Sequence, residues 1–225
     1  MRRLHHFVLS PFCRKVRLVL SEKKLGFDLV AERPWERRPE FIALNPLAQV
    51  PVLIEESGGV IADSNAIAEY LEEVHPQPPL LPPRAAERAE ARRLVAFCDQ
   101  MLFADVTAPL LRERILKRFG WAADSDPAPD PAAIRAALDA LRKHMAYIGD
   151  LTEKRSWLAG TLSVADFAAA AHLSCIDYLG DVAWDAAPQL REWYARVKSR
   201  PCFRPLLTDH LPGVAPPRHY ADLDF

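Results

Sequence analysis

Through the first third of the chain, short apolar stretches alternate with amphipathic ones; beyond it only the amphipathic kind persists. Leu4 to Leu9 predicts a strand, and residues 11–25 carry Phe12, Val16, Val19 and Leu20 at helical spacing. Ser10 is placed as N-cap of that helix, and Pro11 sits at its first position, where a missing N–H costs nothing. Gly26 is expected to close it. Phe27 to Glu32 predicts a second strand, Val52–Glu56 and Val60–Ala62 a hairpin turning at Gly58-Gly59, and Ser64–Val74 a closing helix. Beyond Arg84 strand signals stop. Leu94, Phe97, Cys98, Met101, Leu102 and Val106, at steps of one to four residues, predict one long helix from Glu87 to Phe119, kinked at Pro109. Further helices are expected over 132–151 and near 164–179 and 188–199, and Ser163-x-x-Asp166 has the form of a capping box.

The order β-α-β-(α)-β-β-α is that of an α/β thioredoxin-like domain, assigned to residues 1–75. A stiff proline-rich linker over 76–84, an all-α domain over 85–204 and a C-terminal extension over 205–225 complete the expected organisation. Half of the 225 residues are hydrophobic, enough for one large core or two modest ones. With 29 basic against 30 acidic residues there is no electrostatic case for nucleic acid. No apolar run is read as a membrane span, and Leu4–Leu9 is too short and polar for a signal peptide, so a cytoplasmic protein is expected. Cysteines at 13, 98, 175 and 202 form neither a Cys-x-x-Cys pair nor a metal-ligand spacing, so neither a disulfide framework nor a metal is expected.

The chemistry concentrates in Asn45-Pro46-Leu47-Ala48-Gln49-Val50-Pro51-Val52-Leu53 and in Asp63-Ser64. Proline seldom leads into a buried strand, because it cannot donate to the ladder. A cis Val50–Pro51 bond would make sense of it, holding a tight turn whose free backbone groups face a pocket. Asp63-Ser64 before an apolar helix supplies a helix N-terminus that favours a carboxylate. Together these segments describe a site for a short, charged peptide.

These segments, with Ser10-Pro11-Phe12-Cys13, Pro78-Pro79-Leu80-Leu81-Pro82 and Ser163-Val164-Ala165-Asp166-Phe167, resemble the cytosolic glutathione transferase family in order and spacing over residues 1 to 205. The resemblance implies glutathione as co-substrate and a small apolar electrophile as its partner in reaction. Val50, before Pro51, would pair through its backbone with the cysteinyl part, Ser64 would hold the γ-glutamyl carboxylate, Asp63 the ammonium, and Gln49 the glycyl end. Asp63 stands where the family more often has Glu, and Ala48 where it more often has Gly. Ser10 matches the serine that donates to the thiolate. Cys13, flanked by Arg14, Lys15 and Arg17 in a helix's first turn, is the alternative, a thiol suited to a mixed disulfide or to packing. Met101, Phe103 and Leu110 of the long helix are expected to line the electrophile pocket.

The extension ends His219-Tyr220-Ala221-Asp222-Leu223-Asp224-Phe225, too aromatic for a flexible linker. It reads either as a strap over the helical domain or as a partner-binding surface. With the opening Met1-Arg2-Arg3-Leu4-His5-His6 and Trp35, it resembles a branch of the family that binds FtsZ filaments in bacterial division. That resemblance implies a non-catalytic dimer that need not bind glutathione and engages filaments through Trp35, Tyr220, Asp222, Asp224 and Phe225. The tail itself lies at the other end of the sequence from the glutathione site, and is expected to be remote from it.

Overall fold

A computed structural model describes residues 1–122 and 126–223. Strand β1 (Arg2–His6) pairs in parallel with β2 (Phe27–Ala31) and antiparallel with β3 (Val52–Ile54), which pairs with β4 (Val60–Ala62). The sheet order is β2-β1-β3-β4. Helices α1 (Pro11–Glu22), α2 (Pro39–Leu44) and α3 (Ser64–Val74) complete an α/β thioredoxin-like domain. Beyond residue 84 the regular elements of the described chain are helices, with one isolated β-bridge between Leu211 and Val214.

Two expectations about α1's ends need correction. β1 stops at His6, and residues 7–10 form a turn in which the Ser10 N–H donates to the Phe7 carbonyl at 3.0 Å. The helix closes at Glu22 with Lys24, not Gly26, in the left-handed region at φ 57°. Lys24 and Leu25 donate back to Ser21 and Leu20, satisfying the terminal carbonyls, so a lysine bears the strain usually given to glycine.

The long helix runs unbroken from Ala85 to Leu116. α4 (Ala85–Ala96) passes into a π-helical stretch, Phe97–Thr107, then α5 (Ala108–Leu111) and a second π-helical stretch, Arg112–Leu116. Pro109 is accommodated between these wider turns; the Ala108 N–H reaches back five residues to Phe103. By length and composition alone this helix is apolar enough to cross a membrane, contrary to the sequence reading. Its Leu94, Leu102, Val106 and Leu110 are buried in the protein core.

α6 (Pro131–Lys154) and α7 (Val164–Tyr178) pack against it, and α8 (Pro188–Lys198) packs on α6 and α7. Every residue of α7 is buried, and the alanines at 168–171 let neighbouring helices approach closely. The capping box is complete: Asp166 accepts from the amides of Ser163 and Leu158, at 2.9 Å each, and from Trp193 Nε1 at 3.1 Å. One core cluster runs through both domains, from Leu4 and Val16 to Phe167 and Trp193. A second gathers Leu9, Leu111, Ile115, Tyr178, Leu211 and Tyr220.

Beyond α9 (Arg204–Leu207) the extension folds back as a strap. Tyr220 is fully buried, and its hydroxyl donates to the Leu206 carbonyl at 3.0 Å. As a partner-binding residue Tyr220 is therefore corrected: it is a core residue. Asp224 and Phe225 lie outside the described residues. Truncation before His219 should cost about 2 kcal/mol or more through lost burial of Tyr220 alone. The melting temperature should drop by about 5 °C or more; an unchanged melting curve would contradict the strap.

Candidate functional site

A cleft of about 610 Å³ opens between the two domains. Ser10, Gln49, Val50, Pro51, Asp63 and Ser64 all line it, together with Phe12, Trp35 and Phe103. Three loop-to-element junctions deliver them: the turn into α1, the loop into β3 and the start of α3.

The Val50–Pro51 bond is cis, as is Gln77–Pro78, which the sequence reading did not single out. Asn45 braces the loop before β3: its Nδ2 donates to the Gln49 carbonyl at 2.8 Å, and its Oδ1 accepts from the Leu47 amide at 3.2 Å. Ala48 sits at φ 51°, a left-handed conformation that explains why glycine suits this position.

Ser10 caps α1 by accepting from the Cys13 amide at 3.3 Å; its single O–H proton also neighbours the buried Cys13 thiol, so donating to a ligand in the cleft means turning away from that thiol. Asp63, at φ 73°, caps α3: its Oδ1 accepts from the amides of Asn65 and Ala66 at 2.7 and 3.0 Å. The donors left at this helix end are the amide and hydroxyl of Ser64, which is 3% exposed.

Behind the cleft lies a buried polar chain. Lys15 donates to Asn65 Oδ1 at 2.7 Å and pairs with Asp99; Asp99 lies 3.4 Å from His172 Nε2, and His172 Nδ1 shares a 2.9 Å hydrogen bond with Thr107. Burial opposes charge on Asp99, but His172 and Lys15 outweigh it and hold the carboxyl below its usual range. Burial pushes His172 down.

Cys13 does not fit the catalytic role considered for it. It is wholly buried, and desolvation pushes its thiol up to about 12 despite hydrogen bonds from Ser10 and Phe7. The three cations beside it in sequence engage other partners: Arg14 and Arg17 meet Asp209, and Lys15 meets Asp99.

Of the residues expected to line an electrophile pocket, only Phe103 does so. Met101 is 55% exposed outside the cleft, and Leu110 is fully buried in the core. Met101, two residues from Phe103, faces away from it on any helix, whereas Leu110 is turned away by the π-helical register, in which cleft-lining Asp99, Phe103, Ala108, Leu111 and Leu116 recur at uneven steps of three to five residues. Sequence reasoning also missed Phe7, Phe12 and Leu111, which join the wall.

Trp35, which in a charged loop could be either an exposed anchor or a ring folded onto the protein itself, takes the second course. It is half-buried, stacked on Trp121 at 4.8 Å and edge-on to Phe7 at 5.2 Å. Asp222 is exposed. Among the described residues no group of three or more His, Cys, Asp or Glu has metal-binding geometry.

Family models for the N-terminal and C-terminal domains of glutathione S-transferase match residues 4–79 and 128–196. FtsZ-localized protein A of Caulobacter vibrioides is 50% identical over 228 residues, spanning 100% of this chain and 98% of the relative. The solved structure of FzlA from C. crescentus superposes with a TM-score of 0.95 at 50% identity, over 100% of this chain and 99% of that one. A glutathione S-transferase from Rhodospirillum rubrum F11 gives 0.95 at 54% identity, over 100% of both chains. A glutathione S-transferase from Methylobacillus flagellatus, solved with glutathione bound, gives 0.74 at 28% identity, over 92% of this chain and 98% of that one. The chain belongs to the glutathione S-transferase family.

All four cysteines are buried. The native protein should therefore resist a thiol-specific disulfide reagent at neutral pH and react only on unfolding. A thiol reacting at the rate of a free one would restore Cys13 as a candidate nucleophile.

Proposed function

We propose that this chain binds glutathione in the interdomain cleft and activates its thiol through Ser10 for attack on a small apolar electrophile. The observation that carries this reading is the convergence of Ser10, Val50 and Ser64 on one cleft with an apolar wall. Val50, beside the cis proline, offers backbone groups to the cysteinyl part of the tripeptide. The Ser64 amide and hydroxyl, at the positive end of α3, receive the γ-glutamyl carboxylate. Asp63 spends one oxygen on capping, so the ammonium would meet its other oxygen, and Gln49 would meet the glycyl end. The Ser10 hydroxyl donates to the sulfur, favouring the thiolate. Phe12, Phe103 and Leu111 supply the apolar surface for the electrophile.

Calorimetry with glutathione is the primary test: absence of binding by the intact protein would overturn the reading. Ser10→Ala should lower turnover by about 10²-fold or less, since one hydrogen bond to a developing anion contributes about 2–3 kcal/mol. It should hardly change the glutathione dissociation constant. Ser64→Ala should weaken binding instead, because it removes an interaction made in the ground state.

A second reading is favoured by the full-length similarity to FtsZ-localized protein A: a cytoplasmic dimer that binds FtsZ filaments through its extension. For the dimer, segments 61–68 and 87–106 are the proposed contact, the latter carrying Met101, an apolar side chain more than half exposed. Leu47, 70% exposed at the cleft rim, is a further apolar group for a neighbour to cover. For the filament, Asp222, exposed near the end of the described extension, is the proposed charged contact. Reversal, Asp222→Lys, should weaken co-sedimentation with FtsZ polymer and leave glutathione affinity unchanged. Undiminished co-sedimentation would remove Asp222 from the interface.

A further inference from the structure

We propose that Tyr220, in the C-terminal extension, is a positioning residue for Ser10 and acts through the buried guanidinium of Arg14. The inference rests on the reading of Ser10 as the thiol's hydrogen-bond donor. It replaces the expectation that the tail is remote from the site.

The turn that presents Ser10 to the cleft is held from its inner side. Arg14 Nε donates to the Val8 carbonyl at 2.9 Å, and Cys175 Sγ donates to the Leu9 carbonyl at 3.2 Å. Arg14 is fully buried, so its remaining donors must find partners within the protein. Nη1 donates to Ser174 Oγ at 2.8 Å and to the Tyr220 hydroxyl at 3.0 Å, and Nη2 meets Asp209 at 3.4 Å. A guanidinium is a rigid planar fork, so partners on its Nη atoms set the direction in which Nε points.

Two of those partners, Asp209 and Tyr220, belong to the extension. Tyr220 is itself fixed: its hydroxyl donates to the Leu206 carbonyl at 3.0 Å, and its ring meets Tyr178 edge-on at 5.2 Å. The Tyr178 hydroxyl accepts from the Leu211 amide at 2.9 Å and donates to the Val214 carbonyl at 2.8 Å, which ties that ring to the same strap. A continuous set of hydrogen bonds thus leads from the extension to a carbonyl two residues before Ser10. Arg14 and Tyr220 are separated by 206 positions in sequence, so only the folded strap brings them together.

Tyr220→Phe keeps the ring and deletes the hydroxyl. Without any ligand, hydrogen exchange of the amides from Ser10 to Arg14 should quicken by about tenfold relative to amides of α6. With glutathione bound, its thiol pKa, titrated by thiolate absorbance, should rise by about half to one unit, which is about a three- to tenfold lower ratio of thiolate to thiol at any given pH. Affinity for S-methylglutathione, which has no thiol to activate, should stay the same. Should Tyr220→Phe fail to fold, Ser174→Ala removes the other acceptor of Arg14 Nη1 and should move the same two readouts. A folded Tyr220→Phe protein with a lower melting temperature, but unaltered exchange and thiol titration, would reduce Tyr220 to packing and overturn the proposal. If the unsubstituted protein does not bind glutathione, the transferase reading falls, and the exchange measurement alone decides whether the strap holds the turn.

Discussion

Within one turn, α1 buries Arg14, Lys15 and Arg17, and the pairing of these three cations is what the rest of the structure is built around. An isolated charge removed from water costs far more than a domain's net stability, so each must be met by an anion or by several oxygens. Lys15 is met by Asp99 on the long helix and by Asn65 on α3. Arg17 is held by both oxygens of Asp209, at 2.8 Å each, and Arg14 by the strap and α7. The partners come from the sheet domain, the helical domain and the extension. None of the three parts can leave without exposing or orphaning a buried charge. The helix that carries Ser10 at its N-terminus is therefore fixed by contacts from the whole chain.

Those pairings mark the limit of what the sequence reveals. Periodicity located the strands and helices to within a few residues, because alternation and helical spacing are local. The capping box and the proline turn were equally legible, since each is written within ten residues. Arg14, Lys15 and Arg17 read as a cationic setting for Cys13 because their true partners lie 50 to about 200 positions away. Burial then reverses the inference: the same helix that seems to activate Cys13 seals it from solvent.

The errors on the long helix and in the charged loop have physical causes as well. Met101 and Leu110 were assigned to the cleft only as apolar residues of the long helix; Met101 lies two positions from Phe103 and so on the far side, and π-helical turns around Pro109 turn Leu110 into the core. No composition signal announces such turns. Trp35 lies between Pro34 and Glu36, where neighbours suggest solvent; Trp121, 86 positions away, covers it. Aromatic side chains from both domains thus close one end of the cleft, with Arg33 lying over the Trp121 ring at 5.3 Å.

If the chain carries both of the proposed activities, glutathione activation and filament binding, the strap offers a route by which they would be thermodynamically connected. Asp222 lies two residues beyond Tyr220, and Tyr220 bonds the guanidinium that holds the turn before Ser10. A partner that seizes the exposed end of the extension acts on one end of this hydrogen-bonded path, and a ligand thiol acts on the other. Linkage requires any effect to be reciprocal: if the partner shifts glutathione affinity by some factor, glutathione shifts partner affinity by the same factor. The sign follows from which strap conformation the partner prefers. One that binds the docked strap reinforces Arg14 and the turn, whereas one that peels Tyr220 out leaves a buried guanidinium short of an acceptor and loosens the turn. On that reading, the buried cations of α1 would make the occupancy of the cleft sensitive to what holds the tail.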